Sequence, residues 1–126
     1  MEDQNMEELR QQQKEALITT HEYIQKLFDA IPKVNNELRG QMLDDTEEYL
    51  NAILNGVNFV TEVFNRTMDY VNADEVLVDK EKLNEYVLRF MAEYKNGSKA
   101  AIADSLENDI LVYLQSFDEA IQKTCY

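Results

Sequence analysis

The chain holds one cysteine, one proline, three glycines and no tryptophan in 126 residues. With a single thiol, Cys125, an internal disulfide and a cysteine-built zinc site are both excluded, and a reducing compartment is expected. A tail position offers that thiol no group that would activate it as a nucleophile. Gly and Pro fall well below their usual shares of roughly 7% and 5%, so the turn residues of an all-β or α/β chain are missing and few long loops can exist. No run approaches the roughly 18 consecutive apolar residues of a membrane span, and the opening Met1 to Glu8 is acidic where a secretion signal would be basic and then apolar. A cytoplasmic protein is expected. Positive charge is scarce as well, with 12 Lys and Arg against 25 Asp and Glu, a net charge of −13. Nucleic acid and anionic membrane surfaces would be repelled over a Debye length. The deficit is concentrated: residues 40–75 carry 8 acids and a single base, Arg66. Such a stretch serves as a solvated helix face that keeps the chain soluble, or as a docking face for a basic partner.

What the chain does have is apolar periodicity. Seven-residue steps from Leu43 through Leu50, Val57 and Phe64 to Val71, with Ile53 and Val60 between them, keep one stripe of a helix against a core for about eight turns. A first helix is expected from about Met6 to Arg39 on the steps Leu17, Ile24, Ile31 and Leu38. Pro32 interrupts it, but the apolar phase continues unchanged across it, which predicts a kinked helix and not two helices with a loop. Arg39 and Gly40 supply a favourable C-terminal charge and a residue tolerant of the left-handed conformation. Asp44 and Asp45, each with a glutamate three residues on at Glu47 and Glu48, have the spacing of an aspartate capping box. The second helix should run to about Asn72. Val76, Leu77 and Val78 have no partner run and read as an apolar lid on the bundle end. Asp79 can cap a third helix carrying Leu83, Tyr86, Val87, Phe90 and Tyr94, which Asn96-Gly97 ends. Ser98 can cap a fourth, and Ile110 to Leu114, apolar almost all the way round, makes that helix either the most enclosed member or the one that meets another chain. Residues 24, 27, 28, 31 and 34 match residues 50, 53, 54, 57 and 60 at an offset of 26, read as a shared packing phase in preference to a duplication.

A catalytic or metal constellation is not apparent. A di-metal carboxylate bundle needs two Glu-x-x-His pairs; the one histidine, His21, has Ile18 three residues before it and reads as a rim residue. There is no calcium loop, no nucleophile elbow and no phosphate cradle around Gly40, Gly56 or Gly97. Asp109, beside Ile110, is the one acid on an expected inner edge. Tyr49, Tyr70, Tyr86 and Tyr113 flank or join apolar stripes and read as core-edge rings. Phe59 is different. It lies about 200° round the helix from Val57, so either the bundle surrounds helix two there or Phe59 is an exposed anchor for a partner.

The helix order, with the segment Ala101-Ile102-Ala103-Asp104-Ser105-Leu106-Glu107-Asn108-Asp109-Ile110, resembles small acidic all-helical proteins of Gram-positive bacteria classed as domains of unknown function, over residues 15–122. A looser likeness in size and acidity is to flagellar and secretion chaperones. Neither resemblance implies a functional site. The expectation is therefore an all-α fold, a four-helix up-down bundle with a Pro-kinked first helix, as one domain over residues 1–126 with 1–5 frayed. The expected function is a non-enzymatic protein-interaction or chaperone-like module that needs no cofactor or metal. It would bind a protein with a basic surface, or a second copy as a homodimer, through Phe59, Leu111, Val112 and the acids Asp44, Asp45, Glu47 and Glu48. The alternative is a carboxylate-based or metal-dependent enzyme with its site inside the bundle.

Overall fold

The apolar steps close on one another as four helical rods, with no strand among the described residues. The structure, a computed structural model, describes residues 2–126, with side chains from Asn5 onward. Helix α1 spans Glu2–Arg39, α2 Thr46–Val71 and α3 Lys80–Asn96; the fourth rod runs without a break through α4 (Lys99–Ser105), a π-helical turn (Leu106–Ile110) and α5 (Leu111–Cys125). Helix α1 begins at Glu2 and not near Met6, and the expected fraying at Met1 lies outside the described residues. It also continues through Pro32, which sits on the exposed side where the backbone bond it removes can be made to water.

Contacts that climb one rod descend its neighbour. Along α1 and α2, Gln13 reaches Arg66 and Asp69, Tyr23 lies on Phe59, and Glu37 accepts from Thr46 at 2.7 Å, so the pair is antiparallel. Along α1 and the fourth rod the partners are Asp118 for His21 and Gln25, Ala103 for Asn35, and Asp104 and Glu107 for Arg39. Only Gly97 and Ser98 join α3 to α4, so α3 doubles back on the fourth rod and Arg89 meets Asp109. The result is the up-down bundle. The fourth rod packs against the other three, which answers the sequence's alternative in favour of enclosure: Ile110, Tyr113 and Leu114 are fully buried. Edge-to-face packing of Phe64 on Tyr113 and Phe117 at 5.6 and 5.1 Å ties α2 to α5.

The offset-26 match is a match of packing phase. Residues 24, 27, 31 and 34 are buried and 28 is half-buried, and their counterparts 50, 53, 57 and 60 are buried with 54 half-buried.

Several local expectations change. Leu43 does not extend the α2 stripe: it is 59% exposed and precedes the helix. The Asp44/Asp45 capping box does not form either. Asp45 stands at the cap position with φ −101° and ψ 4° and accepts no side-chain cap bond, because the buried Thr46 hydroxyl accepts from the Leu43 N–H at 2.8 Å and so organises the turn itself. Gly40 adopts no positive φ. Gly97, at the end of α3, is needed for room, since a Cβ there would fall 2.6 Å from the Glu93 carbonyl oxygen. The caps at Asp79 and Ser98 are present, accepting from Lys82 N–H and Ala101 N–H at 3.1 and 3.2 Å. Of the lid, Val78 is buried and Leu77 half-buried, but Val76 is 79% exposed. The Asn72 amide shapes that loop by accepting from the Leu77 and Val78 N–H groups and donating to the Val78 carbonyl.

Candidate functional site

The outer seam of α1 and α2 carries the exposed aromatic that the sequence singled out. Phe59 is 41% exposed and meets Tyr23 edge-to-face, with ring centroids 5.6 Å apart. Tyr23 can lie there because Gly56, one turn before Phe59, has no side chain: a Cβ at 56 would stand 3.0 Å from Tyr23 Cε1 and closer still to its hydroxyl. That close approach gives the mid-helix glycine a role that its lone position in the sequence did not show. Further down the seam, Leu9, Gln12, Ala16, Val63 and Thr67 line a groove of about 290 Å³. The groove is uncharged except at its end, where Arg66 pairs with Glu62 at 2.7 Å and Arg10 lies 3.9 Å from Asp69.

The other sequence-selected residues do not join this face. Leu111 is half-buried and packs on the core. Val112 lines a separate shallow groove with Leu77, Val78 and Tyr86 of the loop and α3. Asp44, Asp45, Glu47 and Glu48 are all exposed at the start of α2, about 20 Å along the helix axis from Phe59. One predicted interaction set thus resolves into three places.

His21 is a rim residue, with 24% of its side chain exposed, but it is not idle. Its Nδ1 lies 2.6 Å from Oδ1 of Asp118, and since a carboxylate oxygen accepts, Nδ1 carries the proton. Asp118 is buried, and its Oδ2 accepts from the amides of Gln25 and Gln122 at 3.1 and 2.9 Å. Sequence reasoning missed Asp118. Its only local signal is Gln122 one turn on, while its partners on α1 lie more than 90 positions away. Cys125, near the end of α5, is half-buried, and burial pushes its thiol up while the Lys14 charge opposes that shift. A thiol held protonated is a poor nucleophile.

Asp109, the acid considered for an interior site, is engaged. Arg89 of α3 donates to its Oδ1 at 3.0 Å and Ser105 to its Oδ2 at 2.9 Å, both bonds ending within the π-helical turn. Beside that turn the buried Asn35 donates to the Ala103 carbonyl at 3.3 Å, and its own Oδ1 meets no protein donor. On the surface, the hydrogen bonds that the Arg39 guanidinium donates, first to Glu107 and then to Asp104, hold it above its usual range. Among the described residues, no three His, Cys, Asp or Glu side chains are grouped to hold a metal ion, and no helix is long and apolar enough to cross a membrane.

The family described as "Domain of unknown function (DUF8042)" matches residues 15–120. The chain belongs to that family. The match runs from within α1 almost to the end of α5, so Tyr23, Gly56, Phe59 and the His21–Asp118 bond lie within the DUF8042 domain, whereas Leu9 and Gln12 of the groove precede it. Searches of curated proteins and of solved structures found no match.

Proposed function

We propose that this DUF8042 domain is a non-enzymatic protein-interaction module whose contact face is the α1/α2 seam around Tyr23 and Phe59. The observation that supports the reading most is the pairing of an exposed aromatic with a Gly56 that admits its neighbour. Aromatic rings held rigid at low entropy cost are what a partner's apolar side chains bind against. The acids at the start of α2 stand apart from that face and would act on approach and orientation more than on holding. A chemical step has less support. The buried Asp118 and the half-buried Asp109 are already hydrogen-bonded, and burial pushes the Cys125 thiol up, away from its reactive thiolate.

The test is capture from the native cell with immobilised wild-type chain and with Phe59→Ala, each checked for fold by circular dichroism. Partners held by the wild type and lost at least tenfold by the folded variant support the reading. Identical capture by both, or stoichiometric turnover of a small molecule by the pure protein, refutes it.

A further inference from the structure

We propose that Asn96 is a site of spontaneous covalent modification: its side-chain amide closes on the Gly97 backbone nitrogen to a succinimide, which opens to aspartate or isoaspartate at the joint between α3 and the fourth rod. The chain carries the same dipeptide twice, at Asn55-Gly56 and at Asn96-Gly97, and both asparagines are exposed. The fold separates them, leaving the second open to the reaction and protecting the first.

Water is the only co-reactant. The Gly97 nitrogen gives up its proton to solvent and attacks Asn96 Cγ; a C–N bond forms, the Cγ–Nδ2 bond breaks, and Nδ2 takes up a proton and leaves as ammonia. Water then adds to one of the two ring carbonyls. Opening at Cγ leaves aspartate at 96, whereas opening at the main-chain carbonyl reroutes the chain through the side chain as isoaspartate. Glycine favours closure because no side chain crowds the attacking nitrogen.

Closure requires the asparagine ψ to leave its helical value and bring the next nitrogen to Cγ, so the cost of unwinding at each site decides the rate. Asn96 is the last residue of α3, and Gly97 has already left the helix at φ −84° and ψ 161°. Its N–H gives up one bond, to the Glu93 carbonyl at 2.7 Å. Lys95, Ser98, Lys99 and Ala100 are exposed and Gly97 is half-buried, so fraying of this turn displaces no core side chain. Position 56 is the opposite in each respect. Gly56 is buried within α2 between Ile53 and Val57 of the core, and the Tyr23 ring covers it. Turning ψ at Asn55 would break the ladder in mid-helix and pull those residues from the interior, an opening close to global unfolding. Conversion at 96 loosens the joint. It puts a carboxylate in the last turn of α3, where a helix disfavours negative charge, at i+3 from Glu93. Isoaspartate also adds a methylene to the main chain beside Gly97 and Ser98, the only residues that join α3 to α4.

The experiment is incubation of the full chain near neutral pH at about 37 °C, with peptide mass spectrometry reading a gain of about 1 Da at each asparagine and an isoaspartyl carboxyl methyltransferase marking isoaspartate. In the folded chain Asn96 should convert about tenfold faster than Asn55 or more, and in unfolding urea the two rates should come within about twofold, since the dipeptides are the same. Asn96→Gln, whose longer side chain closes a ring poorly, should remove the modification at 96 with the helical spectrum unchanged. Amide hydrogens of residues 93–98 should exchange several-fold faster in the converted chain, and no change there would refute the loosening. Equal rates at the two sites in the folded chain overturn the proposal, as does an Asn96 that stays intact when folded yet converts in urea. A tenfold difference that persists in urea also overturns it, because flanking residues and not the fold would then set the rates.

Discussion

Replacing Gly56 by Ala should change the sign of its effect when Tyr23 is removed. In the interior of α2 alanine is the better helix former by about 1 kcal/mol, so the substitution alone ought to stabilise. The structure opposes this. The new methyl would press on the Tyr23 ring, 3.0 Å from Cε1 and 3.1 Å from Cζ, and a rigid aromatic can yield only by swinging off the seam. That movement breaks the edge-to-face contact with Phe59, about 0.5–1.5 kcal/mol, and re-exposes part of the ring, about 1 kcal/mol for each 40 Å² at the usual area coefficient. Set against the helix gain, Gly56→Ala should destabilise the wild type by about 1 kcal/mol. In a Tyr23→Ala background nothing opposes the methyl, and the same change should stabilise by nearly its full helix propensity, a coupling of about 2 kcal/mol. Urea unfolding of the four chains, followed by far-ultraviolet circular dichroism, measures the cycle. Equal stabilisation in both backgrounds would show that Tyr23 does not occupy the space above Gly56, and the account of the seam would be wrong.

Three further outcomes follow from contacts described above. Asp118→Ala should cost about 2–4 kcal/mol in denaturant unfolding, because it strands His21 and two amides that now share a buried acceptor; a loss below about 0.5 kcal/mol would mean that water replaces it freely. Caps should divide unequally: Asp79→Ala and Ser98→Ala each lose about 1 kcal/mol, whereas Asp45→Ala, which removes no cap bond, loses almost nothing, and equal losses at Asp45 and Asp79 would contradict the turn geometry. Burial pushes the Tyr113 phenol up, with its bond to Thr61 opposing, so the folded state keeps a proton that the unfolded chain releases near pH 10; stability should therefore fall as pH rises past 10, and ultraviolet titration should show one of the seven tyrosines ionising only as the helix signal is lost.

The parts of the fold that repeat were readable in advance. Leu17, Ile24, Ile31 and Leu38 are buried as their spacing required, and the identical burial of the offset-26 residues shows that spacing alone carried the shared phase. Short-range chemistry was readable where one geometry was available, as at Asp79 and Ser98. It failed at Asp44 and Asp45, because a hydroxyl one residue later competed for the turn and the pattern of acids contained nothing about Thr46. The site was legible in half. Phe59 stood out by its angle from Val57, but Tyr23, Gly56 and Asp118 matter through partners on other rods, and no local spacing encodes which helices become neighbours.

The π-helical turn in the fourth rod adds one surplus residue to an otherwise α-helical ladder, where Leu111 N–H bonds back to the Leu106 carbonyl. The turn absorbs that residue locally, so the two halves hold the relative phase of a continuous α-helix one residue shorter. Deleting Asn108 would let the ladder close as plain α-helix with Ile102 and Ala103 still facing the interior beside Phe117 and Ile121. A relative that is one residue shorter here would keep its inward residues from Lys99 to Ser105, so length at this turn is free to change without a change in the composition before it.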